Sequence, residues 1–134
     1  MTNVIDYITI ASPGNATDFG DLTVARYGLA ACSNGTTGRG VFGEGSTTST
    51  MTNVIDYITI TSAGNATDFG DLTVARYALA ACSNGIDGRG VFGGGWTDSM
   101  VNDIDYVMIA TLGNATDFGD LTVARDSLAA CADA

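Results

Sequence analysis

The sequence predicts an all-β repeat protein, and three observations carry that prediction. Residues 1–50 and 51–100 are near copies, differing at positions 11, 13, 28, 36, 37, 44, 46, 48 and 50. Each copy holds short β-branched runs bounded by glycine and Asx turns. The period is close to 50 residues, and helical repeats are shorter or differently patterned, so the choice lies between a β-propeller and a β-solenoid. A third copy starts at Met100, one residue short, so Tyr7, Tyr57 and Tyr106 correspond, as do Asn15, Asn65 and Asn114. It runs to Ala134, just past Cys131, the counterpart of Cys32 and Cys82.

The first element is "NVIDYITI" (Asn3–Ile10). Val4, Asp6, Ile8 and Ile10 fall on one face and Ile5, Tyr7 and Thr9 on the other, which suits a strand covered on both sides. "SPGN" is a turn by composition. "ATDFGD" is a short polar strand with one aromatic, Phe19, placed at an outer edge. "LTVAR" connects to a small-residue strand, Gly28–Ser33, and Asn34-Gly35 signals a hairpin. "RGVFGEG" is the next strand, whose glycines permit close backbone approach. Each repeat is thus four short strands.

Read from "LTVAR", the unit is an arginine, a small-residue strand, a turn, an aromatic strand, a glycine doublet, a variable loop, the "VIDYITI" strand, a turn and a second aromatic strand. This pattern resembles the kelch repeat. The doublet falls at Gly43/Gly45, where Glu44 interrupts it, and at Gly93/Gly94. The kelch tyrosine falls at Tyr7, Tyr57 and Tyr106, and Phe19, Phe69 and Phe118 stand where that family usually has tryptophan. The near-identical "GNATDFGDLTVAR" copies also resemble kelch-like arrays of tailed-phage proteins, marine ones especially. The resemblance implies a β-propeller of four-stranded antiparallel blades, with no enzymatic motif attached, and a virion or extracellular surface location.

In that phase the single repeat domain, 1–134, divides into strands three and four of one blade (1–21), a blade (22–71), a second blade (72–120) and strand one of another (121–134). The unfinished ends should combine into one composite blade, "SLAACADA" beside "NVIDYITI", lacking its glycine-rich second strand. About three blades cannot enclose a ring. Closure is expected through homo-oligomerisation, a dimer of about six blades first and a trimer or filament next.

Composition narrows the functions. Fifteen acidic residues against five arginines, with no lysine or histidine, give a net charge of −10, which disfavours nucleic acid and anionic membranes as partners. Lack of histidine removes the usual proton shuttle and commonest metal ligand. The opening "MTNVIDYITI" has no basic flank, carries Asp6 and recurs at Met51–Ile60, so it reads as repeat and not signal peptide. No apolar run approaches membrane-spanning length.

Candidate sites recur with the repeat. Asp18, Asp21, Asp68, Asp71, Asp117 and Asp120 could offer oxygen ligands to Ca²⁺, though Asx residues cap turns wherever strands end. Arg26, Arg76 and Arg125 are expected to pair with carboxylates or cap carbonyls between blades; an anion-binding ring is the alternative. Cys32, Cys82 and Cys131 read as small buried hydrophobes. Tyr7, Tyr57 and Tyr106 should occupy equivalent positions, as should Val41/Phe42 and Val91/Phe92, and the aromatics among them are expected to be buried between blades. The sequons at Asn15, Asn34, Asn65 and Asn114 arise readily by repetition. Trp96 is a contact anchor or packs over a neighbouring blade. Near-copies supply the same residues everywhere, whereas catalysis needs different residues in named roles. The expectation is therefore a non-enzymatic structural or binding propeller without a cofactor, contacting itself and protein or glycan. The alternatives are a lectin or enzyme using Asp6, Asp56 and Asp105 in a central channel, and an engineered repeat protein.

Overall fold

The structure, a computed structural model, describes residues 1–35, 37–85 and 87–133. The Asn34 sequon includes Thr36 and the C-terminal tail includes Ala134, both outside those residues. The chain is all-β, with no helix among the described residues. An N-terminal pair, β1 (Val4–Tyr7) and β2 (Thr17–Asp21), precedes two four-stranded sheets. The first sheet is β3 (Ala30–Ser33), β4 (Arg39–Ser46), β5 (Met51–Thr59) and β6 (Thr67–Asp71); the second is β7 (Ala80–Cys82), β8 (Arg89–Gly93), β9 (Asp103–Met108) and β10 (Thr116–Asp120). Every pairing is antiparallel and spatial order follows chain order, so each sheet is a meander.

Near-identical sequence produces near-identical register. Ala30 faces Gly43 and Cys32 faces Val41; Ala80 faces Gly93 and Cys82 faces Val91. The "VIDY" and "TDFGD" strands pair with a bulge at one equivalent point in all three copies, beside Asp6, Asp56 and Asp105. A bulge re-aims the local side chains. The "TDFGD" strands β2, β6 and β10 lie at the edge of their sheets.

The sheets pack face to face. Val41, Ile55, Phe69, Leu72, Phe92 and Val107 form the main core between the two four-stranded sheets. Phe19, Leu22, Ile58 and Ala66 form a smaller one between the N-terminal pair and the first sheet. Gly43 makes the first contact close. A Cβ there would sit 2.5 Å from the Phe92 ring, so only a bare backbone lets that ring approach β4 so closely.

Several expectations need correction. The tyrosines are not buried: Tyr7 is 46% exposed, and Tyr57 and Tyr106 are half-buried. They stand on the strand next to "TDFGD", edge-on to Phe19, Phe69 and Phe118 at centroid distances of 6.0, 6.0 and 5.8 Å. Of the paired residues, Val41 and Phe92 are fully buried, but Phe42 and Val91 only partly. Val41 and Phe92 point into the core between the four-stranded sheets, whereas Phe42 faces the two-stranded pair and Val91 the tail. Cys131 is exposed and all three cysteines are free. Residues 121–133, read as containing strand one, form no strand, since no glycine-rich strand lies beside them to share hydrogen bonds. Their backbone is nonetheless set as in the earlier copies. Ser127 N donates to Ala78 O at 2.7 Å, as Ala78 N does to Gly28 O at 2.8 Å.

Candidate functional site: the seams between repeats

The most chemically specific features lie in the seams where one repeat meets the next. After β2 the chain runs through "LTVAR" into the first sheet, which carries Arg26 inward. Its Nη2 lies 3.0 Å from Asp56 Oδ2 and donates also to the Phe42 carbonyl at 3.2 Å. Thr23 completes the carboxylate's shell, with Oγ1 donating to Oδ1 at 2.6 Å and its backbone N–H to Oδ2 at 3.2 Å. Both charged side chains are wholly buried. Burial lowers the Arg26 pKa, and the Asp56 and Glu44 charges oppose that shift. The second seam repeats the design: Arg76 Nη2 is 3.0 Å from Asp105 Oδ2, and Thr73 Oγ1 donates to Asp105 Oδ1 at 2.6 Å. Such a pair need not add net stability, but removing one partner strands a buried charge at a cost of about 3–5 kcal/mol.

The second seam holds one extra acid. Glu44, at φ 62° where the next copy has Gly94 at φ 68°, is fully buried with Oε1 3.2 Å from Arg76 Nε. Burial pushes its carboxyl up to about 9; Arg76 pulls the other way, and Asp105 and Asp103 add to the rise. The Glu44 carboxyl is thereby protonated at neutral pH, Arg76 having Asp105 as its counter-ion.

A backbone lock accompanies each ion pair. The turn before β6 reaches back onto β2: Gly64 N donates to Phe19 O at 2.7 Å, Ala66 N to Asp21 O at 2.8 Å, and Asp21 N to the Asn65 side-chain oxygen at 3.1 Å. The turn before β10 does the same to β6, through Gly113 to Phe69 at 2.9 Å, Ala115 to Asp71 at 2.7 Å and Asp71 to Asn114 at 3.1 Å. Gly20 and Gly70 make room for it at φ 146°, and a Cβ on either would lie 2.4 or 2.5 Å from the incoming carbonyl.

The two ends of the chain carry matching residues that lack such partners. Among the described residues Arg125 forms no ion pair, its Nε donating only to Val123 O at 3.2 Å, and it is exposed. Asp6, the counterpart of Asp56 and Asp105, is exposed, as are Asn15 and Asp120. Phe118 is 53% exposed against 8% for Phe19 and 3% for Phe69.

The acidic turns are occupied by local chemistry. The Asp18 and Asp117 carboxylates accept from Gly20 N at 3.1 Å and Gly119 N at 3.0 Å. Asp21 and Asp71 take part through their backbones in the lock just described. Asp68 is exposed, and no group of three or more His, Cys, Asp or Glu that could hold a metal occurs among the described residues. Asp6, Asp56 and Asp105 do not converge as free acids, because two of them are committed to arginines. Trp96 bridges to Tyr77 and Met100 across the variable loop. An open cleft of about 420 Å³, lined by Ile5, Tyr7, Phe19, Phe42 and Ile58, lies where the N-terminal pair has no inner neighbour strand.

Sequence reasoning missed five contributors of three kinds. Thr23 and Thr73 stand three residues before the arginines, a spacing visible in "LTVAR". Arg39 and Arg89 lie over the Tyr57 and Tyr106 rings, each 4.9 Å from the centroid. Glu44 carried no signal beyond interrupting a glycine doublet. Comparison with protein-family models and with curated proteins gives no match to this chain.

Proposed function

We propose that this chain is a non-enzymatic structural and binding β-propeller of kelch-like type. Its sheets act as blades and copies of the chain close a ring. The observation that carries the reading is the recurring Thr–Arg–Asp seam. The buried ionisable groups best placed for chemistry, Asp56 and Asp105, are each held by an arginine and a threonine of the adjoining connection. A carboxylate so committed is a joint and not a general base. Equivalent positions carry equivalent residues apart from Glu44, which is sealed in the second seam against Arg76 with no opening to a substrate, so the seams repeat as joints. The face-to-face stacking of successive meanders supports blades arranged about an axis. Resemblance to phage arrays argues for a virion or other extracellular surface, where exposed loops such as that holding Trp96 would contact protein or glycan.

Negative-stain electron microscopy of the purified chain tests this reading. Rings with a central channel are expected. A straight rod of stacked sheets would make the repeats a solenoid and overturn it.

A further inference from the structure

The two seams inside the chain define what a third would look like, and both halves of that third seam are present, exposed and unused. One half is at the C-terminal side: Phe118, Asp120 and Arg125. The other is at the N-terminal side: Asp6, Ile8, Asn15 and Ala16. Each has an internal counterpart whose contacts are known. Phe19 is covered by Ile58 and Ala66; the matching residues for Phe118 are Ile8 and Ala16. Ile8 is 62% exposed, whereas Ile58 and Val107 at the same position are 8% and 2% exposed. Asp21 and Asp71 receive Asn65 and Asn114; the match for Asp120 is Asn15. Arg26 and Arg76 hold Asp56 and Asp105; the match for Arg125 is Asp6.

Conformation agrees with composition. Gly119 holds φ 136°, close to the 146° of Gly20 and Gly70, yet a Cβ on it would meet nothing within 4 Å. The pocket that a Gly-Asn turn fills twice is therefore formed and open a third time. Arg125 is also held in place by its backbone, its carbonyl accepting from Gly95 N at 2.9 Å as the Arg76 carbonyl does from Gly45 N at 3.3 Å.

We infer that a second copy of this chain docks its N-terminal pair onto the C-terminal side of the first, reproducing the internal seam. The Asn15 turn sits on Phe118–Asp120, Ile8 and Ala16 cover Phe118, and Asp6 receives Arg125 beside Thr122. This inference rests on the self-associating reading above and names its contacts. The interface is heterologous, so each copy offers one half of it at each end, and it closes a ring if the rotation allows. Charge complementarity selects the partner: an arginine without a carboxylate meets a carboxylate without an arginine.

Charge swapping tests it, using the full chain, native mass spectrometry and sedimentation velocity. Wild type should associate, while Asp6→Arg and Arg125→Asp, each alone, should weaken association at least about tenfold. The chain carrying both changes restores the pair in reversed polarity and should associate again, whatever the number of copies in the ring. It should also refuse isotope-labelled wild type, because both mixed seams set like charges together. Recovery in the double variant shows that the single variants were folded. If wild type associates and the single variants match it, or the double variant mixes freely with wild type, this seam is overturned while self-association stands. A wild type that stays monomeric at micromolar concentration overturns self-association itself.

Discussion

Phe42 and Phe92 are the same residue in two copies of one repeat, and their replacement by alanine should have very different consequences. Phe92 is fully buried, its ring pressed on Gly43 within the main core. Removing it deletes the side chain's transfer free energy and leaves a cavity that Gly43, having no side chain, cannot fill. Phe92→Ala should therefore cost about 3–5 kcal/mol. Phe42 is only half-buried and borders the open cleft beside the N-terminal pair. Its loss enlarges a space already open to water, so only part of the transfer term is forfeited, about 1–2 kcal/mol. Urea titrations at one protein concentration, followed by tyrosine and tryptophan fluorescence, give both values from the midpoints provided the slope is unchanged. Fixing the concentration matters because self-association shifts both midpoints. A difference below about 0.5 kcal/mol would refute the assignment of Phe92, and not Phe42, to the core between sheets.

Other outcomes follow from the seams. Glu44→Gly should raise stability by about 1 kcal/mol through relief of the left-handed backbone alone. Because the Glu44 carboxyl is raised from 4.5 to about 9 in the fold, its contribution is fully present below about pH 4.5 and lost as pH rises through 9. Thermal midpoints between pH 5 and 9 should therefore fall more steeply in wild type than in the variant. Gly70→Ala must displace the Gly113 carbonyl, whereas Gly119→Ala in an unassociated chain meets only backbone strain; equal loss of stability in thermal melts would argue against the turn lock. EDTA should leave the thermal midpoint unchanged, and a calcium-dependent rise of many degrees would reassign the acidic turns as ligands. Burial raises the Cys32 thiol to about 12 while Cys131 is exposed, so a maleimide at pH 8 should modify Cys131 first and Cys32 last, read by peptide mapping.

The strands, their order and the edge position of "TDFGD" were legible because alternation, turn residues and repetition all act locally. Of the three phase-locked arginines expected to pair with carboxylates or cap carbonyls, Arg26 and Arg76 pair with carboxylates, and Arg125 forms no ion pair among the described residues. Their partners were not legible. Arg26 lies five residues from Asp21, yet it pairs with Asp56, 30 positions away, because the connection crosses to the next sheet. Exposure of the tyrosines was misjudged for a related reason. Alternation says which residues share a face, but only the stacking decides whether a ring on that face is covered by the next sheet or merely overlaid by an arginine. Strand one of the tail failed because a strand is a pairing and not a property of its own residues.

The duplication also sets a problem in chain connectivity. β4 pairs with β5, Arg39 opposite Thr59 and Ser46 opposite Met51, although the identical decapeptide stands upstream at 1–10. Side-chain chemistry cannot distinguish these two partners. The native choice closes a loop of four residues, 47–50, while the alternative must close 29, 10–38. For a flexible chain that difference in closure entropy is about 2 kcal/mol, on the order of twentyfold in favour of the short hairpin. The native hairpin is thus chosen by polymer statistics. Insertions that lengthen the Thr47–Thr50 loop would erode the margin without touching a contact, letting β4 capture the upstream strand and folding the chain out of step by one whole repeat.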